Sequence, residues 1–274
     1  MTFEQLFPTL APWVNNLANV WPAPIVKPNF AQWEVLHIVS LIVLGGCTIL
    51  LGLRLAGRGL TSEPSSELYR QLRWPLHAGV IGIVLSGILI GMANAERLYN
   101  SEAFTAKMLA LAGGLILTYL VARPAALAEG RVTTPVRIAA AVGLILWGGA
   151  LWTFLKGGLI MPGLFHILTA AVLIVLFVLP GRARIVFGAG VAVILAGFYL
   201  ATHVIIPADD LAKADPANLT IAWVLFAWIF GNLLFHFLRG STDQADPRLA
   251  KVAGYAVILV WVTAGAAGRW IAFA

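Results

Sequence analysis

Long apolar runs recur along this chain, and the polar stretches between them are too short to build anything but a membrane bundle. Runs of spanning length fall at about 33–56, 74–95, 103–122, 135–155, 163–180, 183–206, 218–239 and 250–273. Roughly 20 apolar residues cross a 30 Å hydrocarbon core. Backbone polar groups in lipid must be satisfied within the segment, so each run is predicted to be a helix. The expected fold class is all-α, a polytopic integral membrane protein with about eight transmembrane helices. Of 274 residues, 60% are hydrophobic and 11% charged, which excludes a soluble globular domain. The net charge of +6 then bears on orientation in the membrane, and no nucleic-acid partner is implied. Cys47 is the one cysteine, so neither a disulfide framework nor a Cys-ligated cluster is expected. Residues 1–30 are polar and rich in Pro and Trp, without the basic-then-apolar order of a cleavable signal. Pro124, Pro135, Pro162, Pro207 and Pro216 mark expected turns.

Lys and Arg set the orientation. Arg54, Arg58, Arg70, Arg73, Arg123, Arg131, Arg137, Arg182, Arg184, Arg239, Arg248 and Lys251 fall on one side of the alternating runs. Lys27, Arg97, Lys107, Lys156, Lys213 and Arg269 fall on the other, with Glu96, Glu102, Asp209, Asp210 and Asp215. The first side is therefore cytoplasmic and both termini lie outside. The expected location is a bacterial inner membrane. Trp33, Trp74, Trp152 and Trp270 sit near run ends, as an aromatic belt requires.

Short matches in a common order suggest two four-helix repeats, at 1–128 and 129–274. Trp33–Ile38 opens the first run and Gly163–Ile167 the fifth. Ile83–Gly87 resembles Val193–Gly197, and Ile145–Trp147 resembles Leu259–Trp261. An even number of helices per unit makes the repeats parallel. In this register His236 corresponds to Tyr119, and His77 to Phe187.

The five histidines carry the chemistry. An ionisable side chain at membrane depth is costly and by default marks a functional site. The topology places His37, His166 and His203 on the outer side, and His77 and His236 on the inner side. Imidazole is the common axial ligand of haem iron and also suits copper and zinc. The expected cofactor is haem b, two per chain: an inner haem on His77 and His236, and an outer haem on two of His37, His166 and His203. Arg269, Lys107 and Lys156 are candidate propionate partners outside, and Arg73, Arg239 or Arg70 inside. Gly79, Gly87, Gly113, Gly114, Gly197 and Gly231 are candidates for close approach of a flat macrocycle. Glu34, one turn before His37, is a candidate partner of that imidazole. For any single histidine the plain alternative is a hydrogen-bonding or interfacial residue.

Glu34-Val-Leu-His37, Leu53-Arg54-Leu55-Ala56-Gly57, Phe104-Thr-Ala-Lys107, Gly231-Asn232-Leu-Leu-Phe-His236 and Gly268-Arg269-Trp270-Ile-Ala-Phe273 together resemble an uncharacterised family of bacterial four-helix membrane proteins. The resemblance implies a doubled form of that unit, and it favours His37, Lys107, His236 and Arg269 as site residues. It departs at Lys156, where the first unit lacks Gly-Arg-Trp, and at Ala222, where the second lacks the lysine. The layout is more loosely similar to cytochrome b561-like and copper-resistance D-type membrane proteins.

The function expected is that of a membrane b-type cytochrome subunit, an electron-transfer subunit of an oxidoreductase complex. It would carry electrons between quinone or another donor and a periplasmic redox partner. Two alternatives stand beside it. One is a copper-handling protein using the outer histidines, with Met92, Met108 and Met161 nearby. The other is a non-catalytic scaffold subunit of a membrane complex.

Overall fold

The computed structural model describes residues 2–156, 171–173, 175–176, 179, 181–205, 211–238 and 247–271, without the side chains of 155–156, 202–203, 211–216, 218–219, 236–238 and 247. Seven long helices stand among these residues: α1 (Phe30–Leu55), α2 (Ser65–Ala93), α3 (Glu102–Ile116), α4 (Thr134–Lys156), α5 (Gly181–Leu200), α6 (Leu211–Leu238) and α7 (Pro247–Trp270). The fold is all-α. Among the described residues six helices are long and apolar enough to cross a membrane, and Thr220–Phe235 of α6 is a shorter apolar stretch. The run at 163–180 lies largely outside the described residues. α1, α4 and α7 lie close to their expected limits, α3 and α5 give way to π turns before their runs end, and α6 starts earlier than its run, at Leu211. α2 starts earlier than its run, at Ser65, because the polar stretch Glu67–Arg73 continues the helix out of the apolar layer.

Pro124 does not end α3. A π-helical turn, Leu117–Ala122, follows the helix and leads into Arg123–Leu127. Proline lacks an N–H and crowds the carbonyl four residues back, and a widened turn absorbs both defects. A second π turn, Ala201–Ile205, follows α5, two residues ahead of Pro207. Pro216 lies inside α6 instead of in a turn.

Packing divides the chain into residues 1–160 with 241–274, and residues 161–240. α4 and α7 both pack within the first unit, α7 against α1 and α3. In that unit α1 lies on α2, and α3 on α4. Small residues set these approaches. A Cβ on Gly79 would stand 2.8 Å from the Leu44 backbone nitrogen, and one on Gly52 would stand 2.6 Å from the Gly254 carbonyl. Without a hydrophobic drive between helices in lipid, such close contact is the main source of cohesion. Two indoles add hydrogen bonds: Trp147 Nε1 of α4 donates to Thr263 of α7, and Trp261 Nε1 of α7 donates to Thr118, each at 2.9 Å.

α2 is capped from far along the chain. The backbone N–H groups of Ser65 and Ser66 donate to the Glu129 carboxylate at 3.1 and 3.0 Å. Glu129 takes a left-handed φ of 49°, followed by Gly130 at 84°. Burial alone would raise the Glu129 pKa, but the hydrogen bonds from Ser66 and Ser65 outweigh it and hold the group at about 2.

In the second unit α5 packs on α6. Trp228 Nε1 donates to the Phe187 carbonyl at 3.1 Å, and its indole fills the space beside Gly190. An open apolar cleft of about 420 Å³ lies between Ile194, Phe198, Ala201, Thr220, Ile221 and Val224.

Candidate functional site

Two histidine sites lie in the first unit, both built on α2. At the end carrying the N-terminal segment, α1 presents His37 about two turns from its start, and α3 presents Lys107 in its second turn. α2 presents the buried Ser86. Close α1–α2 packing brings them together. A Cβ on Gly87 would stand 3.2 Å from His37 Cε1, so the glycine leaves the imidazole its place.

The His37 Nδ1 is 2.9 Å from Ser86 Oγ, and its Nε2 is 3.1 Å from Lys107 Nζ. The Ser86 hydroxyl donates to the Gly82 carbonyl, so its oxygen is left to accept. Donor accounting therefore puts the His37 proton on Nδ1 and leaves the Nε2 lone pair to accept from Lys107. Three helices are joined by one polar chain, Lys107 to His37 to Ser86 to Gly82. The Lys107 stem lies along Gly268 of α7, where a Cβ would stand 3.4 Å from Cε. Among the described residues His37 is the one hydrogen-bond partner of the Lys107 ammonium.

The second site is nearer the arginine-rich end. His77 Nδ1 lies 2.9 Å from the Tyr119 hydroxyl. The two rings stack at 5.4 Å with 24° between planes, and Trp74 meets His77 edge-on at 6.2 Å. Tyr119 belongs to the π turn ahead of Pro124. Arg73 is exposed and lies over the Trp74 ring at 5.3 Å. Among the described residues Nε2 of His77 makes no hydrogen bond. Nine residues of helix separate His77 from Ser86, about 13 Å along α2.

The structure thus brings His37 and Lys107 together. It gives His77 the partner Tyr119, which the repeat register matches to His236. Arg269 is exposed beside Gly268, and Glu34 is exposed a turn before His37. Arg70 pairs with Glu67 at 3.3 Å on the surface. His166 and Arg239 lie outside the described residues. His203 sits in the second π turn and His236 near the end of α6, and Lys156 ends α4, but all three side chains lie outside them. Among the described residues no three His, Cys, Asp or Glu side chains gather as a metal site.

Several glycines read as room for a macrocycle are filled by neighbouring helices. Gly79 is covered by Leu44, Gly113 by Gly143 and Trp147, and Gly114 by the Trp261 ring, whereas among the described residues nothing lies within 4 Å of a Cβ on Gly197 or Gly231. Sequence reasoning missed Ser86 and Tyr119 as site residues. Both stood in the repeat matches or register, and a hydroxyl inside an apolar run was the available signal.

Residues 26–157 match the model of a family described as a family of unknown function (DUF6644). The match covers just under half of the chain and includes His37, His77, Ser86, Lys107 and Tyr119. No curated protein and no solved structure matches the chain.

Proposed function

We propose that this chain is a membrane-embedded electron-transfer subunit that holds b-type haem through histidine. The observation that carries the reading is the state of His77. Its Nδ1 is tied to Tyr119 at 2.9 Å, while among the described residues Nε2 makes no hydrogen bond. A neighbour that fixes one ring nitrogen sets the tautomer and orientation with which the other binds a metal. Trp74 and Tyr119 supply flat aromatic neighbours, and Arg73 supplies a cation for a propionate. These residues would let His77 hold a haem through Nε2, and His236 is proposed as the second ligand. Haem when bound supplies one-electron chemistry, and the chain supplies ligation, spacing and exclusion of water.

The other end makes a different demand. Lys107 occupies Nε2 of His37, so ligation there requires Lys107 to turn away, where it and Arg269 become partners for carboxylates. His166 or His203 would then complete the pair. The full proposal has two haems, one per leaflet. It keeps eight helices in two parallel four-helix repeats, with both termini outside, in a bacterial inner membrane. Electrons would pass between quinone or another donor and a periplasmic partner.

The test is a dithionite-reduced minus oxidised spectrum of detergent-purified protein, with pyridine haemochrome quantitation. A b-type α-band that His77→Ala diminishes supports the reading. A colourless protein after expression with ample haem overturns it, and copper stoichiometry then separates a copper-handling protein from a scaffold. Coloured protein whose haem content is unchanged in His77→Ala removes His77 as the ligand.

A further inference from the structure

Residues 2–29 carry only two charged side chains, Glu4 and Lys27, and their polar appearance in the sequence comes from Asn, Gln, Thr and proline. The prolines prevent one long helix. The segment instead folds as short turns: Phe3–Leu6, Pro8–Leu10, Ala11–Asn16, Leu17–Asn19, Ala23–Val26 and Lys27–Asn29. One face is fastened to the bundle. Val14 packs with Ala95 and Tyr99, Phe3 meets Phe104 at 5.6 Å, and the Tyr99 hydroxyl donates to the Phe7 carbonyl.

Other large apolar side chains of the segment stand exposed among the described residues. Trp13 is 64% exposed, Trp21 75%, Ile25 55% and Phe7 50%. Such a patch in water is a liability, and so many large side chains together signal a contact surface. The chain passes directly from Asn29 into α1, whose exposed face carries Val35, Ile38, Val39 and Ile42. In a membrane helix such a face is one that lipid covers, and the exposed apolar side chains of the segment adjoin it in sequence.

We infer that residues 3–29 form an in-plane collar. Its exposed apolar side chains are buried in the boundary between headgroups and acyl chains of the leaflet at this end of the bundle. Indole rings favour that boundary because one edge is polar and the rest apolar. Glu4 and Lys27 offer too little charge to recognise a soluble partner, whereas apolar area alone suffices for the interface. The inference is independent of the haem proposal.

The test uses the full chain in vesicles of phosphatidylcholine with phosphatidylglycerol. Single cysteines are placed by Trp13→Cys and Trp21→Cys in a Cys47→Ala background and labelled with an environment-sensitive nitrobenzoxadiazole probe. Ile25→Cys serves as a third position should either tryptophan variant fail to fold. A blue-shifted emission that shallow spin-labelled lipids quench more than deep ones, with little quenching by aqueous iodide, is expected. Strong iodide quenching with no effect of spin-labelled lipid overturns the collar. Shielding from both quenchers also overturns it, because a protein partner then covers these side chains.

Discussion

The Lys107 ammonium donates to Nε2 of His37 across 3.1 Å, from one helix to another, and the other nitrogen of the same ring is held by Ser86. A charged donor to a neutral ring at membrane depth is worth more than an exposed pair, although hydrogen bonds between membrane helices average well below their isolated strength. A double-mutant cycle with His37→Leu and Lys107→Met should give a coupling energy of about 1 kcal/mol. Unfolding in mixed micelles measures it. Strictly additive losses would mean that the two side chains do not meet in the folded protein.

The Glu129 carboxylate should make stability depend on acid. Its folded-state pKa is held at about 2, below the ordinary 4.5. The stability it adds is therefore fully present above about pH 4.5 and is lost as pH falls toward 2. Glu129 is exposed, so solvent screens much of the effect. Glu129→Gln should cost about 1 kcal/mol at neutral pH, the usual value of a helix cap. The variant should also lose part of the wild-type dependence between pH 5 and 3. Denaturation followed by circular dichroism at several pH values checks both.

Gly254 and Gly46 should respond in opposite ways to enlargement. A Cβ on Gly254 would reach the Ala56 backbone nitrogen at 2.9 Å, whereas a Cβ on Gly46 meets nothing within 4 Å among the described residues. Gly254→Leu must push α7 off α1 and should cost about 1–3 kcal/mol. Gly46→Ala should be neutral or slightly stabilising, by at most about 1 kcal/mol. Thermal midpoints in detergent compare the two.

Trp261 should matter beyond its size. Its indole N–H donates to Thr118 at 2.9 Å, and both residues are buried. Thr118→Val removes the acceptor and leaves a buried donor without its partner, at a cost of about 1–3 kcal/mol. Equal stability of the variant and the wild type would show that another acceptor takes the bond.

The spans were legible because length and apolarity decide them, and α1, α4 and α7 fall within a few residues of their runs. Partner choice was not legible. The apolar sequence of α7 shows that it crosses a membrane, but its place beside α1 depends on two backbones meeting at Gly52 and Gly254. Helix glycines are too common for sequence alone to pair them. His77 and Tyr119 lie 42 residues apart, and a turn expected at Pro124 hid the π turn that carries Tyr119. His37 and Lys107 were visible as separate signals, one a histidine in lipid and one a motif lysine. The serine between them was not, since hydroxyls are cheap enough in membrane helices to need no site. In the N-terminal segment the amides and prolines drew notice in the sequence, whereas the exposure of its large apolar side chains needed the structure.

The placement of α7 fixes an order of events during synthesis. Its seat against α1 and α3 is laid down early, yet α7 itself is made after every other span described here. Until it arrives, Thr118 lacks its indole partner and the face around Gly52 stays uncovered. The stretch matched by the family model, residues 26–157, therefore does not contain all of the bundle that it starts. A chain interrupted after α4 would insert in the membrane but stay open along one side, visible to the machinery that removes unfinished proteins.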